Sequence, residues 1–172
     1  LVEILHGRHK LVEVFARATS QCDDPLEVTL ALGRVVADAD PAVGEAFFRL
    51  YVSRKHRDEP KAWLAYLTFL RESSRPSDGI MEEALKALAK REHVAFTEQV
   101  ALMEYRVGHG ASRGRMLFEG LICSYPRRLD VWLVYIAQES KLVATVHSDP
   151  HQVRSIFERL LSTAATSLST KK

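Results

Sequence analysis

With 172 residues, 47% of them hydrophobic and 27% charged, the chain has enough apolar material to bury a sizeable core and is not composed like a disordered segment. A formal net charge of +2 does not by itself announce a nucleic-acid binder, and no apolar run reaches the roughly 18 residues that a membrane span needs. The two cysteines, Cys22 and Cys123, lie too far apart to suggest a disulfide or a metal pair, which fits a reducing compartment; no signal-peptide pattern is visible.

Helical periodicity accounts for the chain from residue 8 onward. The expected helices span 8–21, 25–38, 41–56, 60–73, 77–91, 94–107, 111–124, 129–142 and 150–164, with a polar tail over 165–172. Trp63, Tyr66, Leu67 and Leu70 recur at i, i+3, i+4 and i+7, and Ile80, Ala84, Leu85 and Leu88 share one face of the next helix. No useful length alternates apolar with polar residues, so no sheet is expected. All six prolines fall between helices, and four follow an acid: Asp24-Pro25, Asp40-Pro41, Glu59-Pro60 and Asp149-Pro150. An acid at the N-cap accepts bonds from the first free amides, and proline at the next position has no amide to leave unpaired. Arg75-Pro76, Gly108-His109-Gly110 and Tyr125-Pro126 mark the remaining turns.

Two interleaved ladders run through these helices. Thr29, Trp63, Thr97 and Trp132 are spaced 34, 34 and 35 residues apart, each on a helix that we term A. Between them lie Val14-Phe15, Phe47-Phe48, Ile80-Met81, Leu117-Phe118 and Ile156-Phe157, spaced 33, 33, 37 and 39 apart on helices termed B. A stride near 34 residues with two helices per repeat predicts an all-α fold, an α-solenoid of helical hairpins with about nine helices in one domain over 1–172. Such a fold presents surfaces rather than enclosing a reaction. The 39-residue step predicts an insertion between Leu142 and Ser148. The chain begins at Leu1 with a helix B and turns polar after Thr163 where another helix A would be due, so a piece of a longer chain is expected.

Helix A with Trp132-x-x-Tyr135-x-x-x-Glu139, followed by Arg154-x-Ile156-Phe157-Glu158-Arg159, resembles the half-a-tetratricopeptide (HAT) repeat of RNA-processing factors. Thr97, Val100 and Glu104 precede Arg115-x-Leu117-Phe118-Glu119 in the same register. The segment Tyr125-Pro126-Arg127-Arg128-Leu129-Asp130-Val131-Trp132, with Asp24-Pro25-Leu26-Glu27-Val28 and Lys61-Ala62-Trp63, is similar to the C-terminal HAT array of the ribosomal RNA-processing protein 5 family. Thr29 and Thr97 replace the helix-A aromatic, and Val36 and Leu70 stand where its glutamate would be. The resemblance implies a right-handed superhelical array with no catalytic activity and no cofactor. It further implies a nucleolar place in the small-subunit processome, S1 domains in the parent chain, and pre-rRNA, assembly proteins and a DEAD-box helicase as partners.

From the residues themselves, Trp63, Tyr66, Trp132, Tyr135, Phe15, Phe48, Phe118 and Phe157 are expected in the repeat core. Glu104 and Glu139, on the packing side of helix A, are expected to pair within their own repeats with Arg115 and Arg154. Charge is uneven, −2 over residues 1–86 and +4 over 87–172. The candidates for RNA or partner contact are Arg54, Lys55 and Arg57 at the end of one helix B, Lys86, Lys90 and Arg91 along another, and Arg127-Arg128 in the turn before Trp132. The first two groups have a ready structural explanation in the helix dipole, which Arg127-Arg128 lack. His147-Ser148-Asp149-Pro150-His151 has the spacing of a metal site, but Asp149 is already explained as an N-cap, so no metal or catalytic residue is expected. The readings from other classes are a HAT scaffold of the splicing or mRNA 3′-end machinery, a metal-dependent RNA enzyme, and a tetratricopeptide co-chaperone, for which the A helices carry too few cations.

Overall fold

The computed structural model describes residues 25–54, 56–107, 111–146 and 149–169, with Arg17 and Gln21; the side chains of residues 25, 53, 54, 146 and 164–169 are excepted. Of the expected helix over 8–21 only Arg17 and Gln21 are described, both of them helical, and Phe15 lies outside the described residues. Those residues form two compact units, one up to Lys90 and one from Arg91. All of their regular structure is helical, in eight α-helices and one 3-10 turn, with no strand.

In the first unit α1 (Pro25–Ala39) packs on α2 (Pro41–Arg54), and α3 (Pro60–Glu72) packs on both and on α4 (Ile80–Ala87). Proline opens the first three of these, and Asp40 Oδ1 accepts the amide of Ala42 at 2.9 Å, capping α2. The core is a stack of rings: Phe48 lies parallel to Tyr66 with centroids 6.1 Å apart and to Phe69 at 5.2 Å. Close helix approach depends on Gly44, where an added Cβ would stand 2.5 Å from the Ala37 Cβ. The last helix is shorter than the expected 77–91. Gly79 precedes it at φ 77°, and Leu88 leaves helical geometry at ψ 150° to bury its side chain. Burial here outweighs the helix propensity of the following Ala-Lys-Arg-Glu run.

In the second unit α5 (His93–Val107) packs on α6 (Ser112–Ser124), and α7 (Leu129–Val146) packs on both and on α8 (Pro150–Ser169). Phe118 stacks on Tyr135 at 5.0 Å, the relation that Phe48 has to Tyr66. Ala101, Leu121, Ile122, Val131, Trp132 and Ile156 fill in around that pair. Each unit thus covers a hairpin with the helix that follows it.

Three expectations need correction. The 39-residue step does not lengthen a turn at 142–148, because α7 stays helical through Val146, so the extra residues extend the rod. The stretch expected as a tail is helical to Ser169. Phe157 is not core: Ile156 takes the buried direction, and Phe157, about 100° further round the helix, is exposed.

Candidate functional site

The basic turns are pinned by the repeat tryptophans. The Trp132 indole N–H donates to the carbonyl of Pro126 at 3.0 Å, and that of Trp63 to the carbonyl of Arg57 at 2.9 Å, six residues back in each case. A buried indole needs an acceptor, and these two find it in the turn ahead of their helix. Arg57 and Arg127 therefore project from backbone fixed to the core, and both are exposed. A spacing of six residues from a turn to a helix-A tryptophan was the available signal for this anchoring, and sequence reasoning missed it.

The two arginines of the second turn differ. Arg128 closes a fork on Asp130, with contacts of 2.9 and 2.6 Å, and Asp130 lies in the first turn of α7. Hydrogen bonding to Arg128 holds the Asp130 carboxyl below its usual range, and that same bond raises Arg128. Glu98 is pushed up by burial first and by Asp130 second. Arg128, for which the helix dipole offers no explanation, has a structural partner in Asp130, which leaves Arg127 as the cation presented by this turn.

The remaining candidate cations fall on separate elements where they are described. Lys55 lies outside the described residues, and Arg54 ends α2. Lys86 is exposed on α4, but Lys90 and Arg91 fall in the 3-10 turn Lys90–Glu92, so the expected i, i+4 row on one helix does not exist. Arg91 Nε lies 3.1 Å from the neighbouring Glu92 Oε1.

The second unit's interior carboxylates are committed to arginines and tyrosines. Glu139 takes two bonds of 2.7 Å from Arg115 and one from the Tyr105 hydroxyl. Glu104, also buried, lies 3.3 Å from Arg113. The expected pairing within repeats is thus corrected: Arg115 reaches the glutamate of the following helix A, and Arg154 is exposed on α8. Glu119 accepts both guanidinium nitrogens of Arg159, at 2.9 and 2.7 Å, and the Tyr135 hydroxyl at 3.1 Å. Burial, with Glu119 second, pushes the Tyr135 phenol up to about 12, and burial followed by the Glu139 bond raises Tyr105. Such bonds hold neighbouring helices together.

Of the histidine-rich turn, His147 and Ser148 lie outside the described residues, and Asp149 Oδ1 accepts the His151 amide at 2.9 Å, an N-cap bond. No group of three potential ligands that could hold a metal occurs among the described residues, and none of their helices is long and apolar enough to cross a membrane.

The described residues thus set pinned basic turns on an all-helical framework, an architecture compatible with an α-solenoid. No family model matches the chain. It is 35% identical over 174 aligned residues, 99% of its length, to "rRNA biogenesis protein rrp5" of Schizosaccharomyces pombe. It is 33% identical over 93% of its length to "Protein RRP5 homolog" of Homo sapiens, and 34% identical over 87% to "rRNA biogenesis protein RRP5" of Arabidopsis thaliana. Over nearly its whole length the chain is similar to proteins named RRP5, and it spans only 8–10% of the length of these relatives.

Proposed function

We propose that this chain is a non-catalytic HAT-repeat scaffold of ribosome biogenesis, acting in pre-rRNA processing and small-subunit rRNA maturation within the small-subunit processome. In this reading the two units are parts of one helical-repeat array that works in the nucleolus, in a parent chain that also carries S1 domains. It holds assembly proteins and pre-rRNA, with a DEAD-box helicase among the partners. The observation that carries the proposal is the similarity to proteins named for rRNA biogenesis across 87–99% of the chain. The commitment of Glu104, Glu119 and Glu139 to structural arginines supports a scaffold over an enzyme.

The test is a fission-yeast strain whose rrp5 lacks the matched segment, with rRNA precursors followed after the intact copy is shut off. Small-subunit precursors should accumulate while large-subunit rRNA continues to mature. Normal maturation of both, or equal loss of both, would overturn the assignment to the small-subunit branch.

A further inference from the structure

In each unit a phenylalanine on the second helix of a hairpin is covered by a tyrosine from the helix that follows. Phe48 lies under Tyr66 and Phe118 under Tyr135, and both phenylalanines are 0% exposed. Phe157 holds the corresponding place in the periodic ladder of helix B, yet it is 49% exposed. It lines a groove of about 380 Å³ with Val143, Val153 and Arg154. The surface continues along α7, where helical spacing places Leu129, Leu133, Ala137 and Ser140 on one side. All four are exposed, Leu129 by 54% and Leu133 by 53%. These four positions carry no charge, and the charged Asp130 and Lys141 flank the strip beside Ala137.

The rim is basic. Arg127, Lys141 and Arg154 are exposed around the apolar strip. Of the exposed acids on these two helices and their leading turns, Asp130 is engaged by Arg128 and Asp149 by the His151 amide, which leaves Glu158. An RNA strand could meet the rim with its phosphates, but along α7 the strip from Leu129 to Ser140 offers leucines and alanine and no ring on which a base could stack, so a protein helix fits it better.

We propose that this face of α7 and the adjoining groove dock an amphipathic helix of a protein partner, one whose apolar stripe covers Leu129, Leu133 and Phe157 and whose flanks are acidic. This is the helix-in-groove mode of recognition, with the basic rim selecting the partner. The inference rests on the scaffold reading and names the class of partner that the scaffold holds. Its test does not depend on ribosome assembly, so it can fail while that reading stands.

The probe is a labelled synthetic helix of about five turns with leucine and tyrosine at i, i+3, i+4 and i+7 and glutamate on both flanks, read by fluorescence anisotropy against the chain. A peptide with the same stripe and lysine flanks, and a single-stranded uridine oligomer, serve as comparisons. The glutamate peptide should bind and the lysine peptide should bind at least about tenfold more weakly. Leu133→Asp and Phe157→Asp, both at exposed positions, should each weaken the glutamate peptide by about tenfold or more with unchanged circular dichroism. Leu129→Asp serves if either variant loses helicity. Absence of binding, equal binding of the two peptides, indifference to the substitutions, or displacement by the oligomer would each overturn the proposal.

Discussion

Arg115 and Glu139 meet fork to fork, Nε on Oε1 and a terminal nitrogen on Oε2, both at 2.7 Å, tying α6 to α7. Tyr105 from α5 donates to the same Oε1, so three helices converge on one carboxylate that is itself 0% exposed. Arg115 is about one-third exposed and can rehydrate if its partner is lost, whereas Glu139 cannot. Arg115→Ala should therefore cost about 3–5 kcal/mol, the range for a buried charge left uncompensated. Glu139→Gln, which keeps shape and one acceptor, should cost about 1–3 kcal/mol. Urea unfolding of both variants checks the order; an equal or smaller loss for Arg115→Ala would contradict it.

The two phenylalanines of the second unit should part company. Phe118 is enclosed by Tyr105 and Tyr135, and its truncation to alanine should cost about 3–5 kcal/mol. Phe157, half exposed, should cost less than about 1 kcal/mol on the same substitution. Melting curves of the pair decide the matter, and similar losses would restore Phe157 to the core.

Sequence periodicity made helix type legible from the ladder of Trp63, Trp132, Phe48 and Phe118, because these side chains repeat with the hairpin that buries them. It could not tell Ile156 from Phe157, since which of two adjacent apolar residues faces inward depends on the neighbour that arrives to cover it. The end of α4 was hidden for a similar reason: Leu88 leaves the helix for a tertiary contact that the local run of helix formers does not encode. Of the candidate surface, the basic residues are visible in composition, but composition does not show that Arg128 is engaged by Asp130, two residues away. The indole anchors of Trp63 and Trp132 leave no mark in apolar periodicity, which registers the bulk of a tryptophan and not its N–H.

Gly44 should resist a substitution that helix propensity favours. Alanine in a helix interior is ordinarily better than glycine by about 0.5–1 kcal/mol. At this position the new methyl would meet the Cβ of Ala37 at 2.5 Å and its Cα at 2.6 Å, and backbone cannot swing aside as a long side chain can. Overpacking of this kind costs about 1–3 kcal/mol, so Gly44→Ala should be net destabilising. Gly120, with nothing within 4 Å of the equivalent Cβ, is the internal control, and Gly120→Ala should stabilise. Thermal denaturation of the two variants should move in opposite directions.

Glu119 should give the fold a measurable acid sensitivity. Its bonds from Arg159, ahead of the opposing effect of burial, hold the carboxyl below its ordinary value, and Arg159 is itself fixed over the Trp132 ring at 5.7 Å. A depressed folded-state value means that the unfolded chain binds the proton more tightly. The stability contributed by the fork is therefore whole above the unfolded carboxyl value, about 4.3, and is lost as pH falls through the lower folded value. Glu119→Gln abolishes that titration. The difference in unfolding free energy between the parent chain and Glu119→Gln should stay constant from pH 7 down to about 5 and narrow below about 4, as followed by denaturant titrations at each pH. A gap that widens on acidification would mean that the carboxylate is not held by Arg159 in the way the geometry requires.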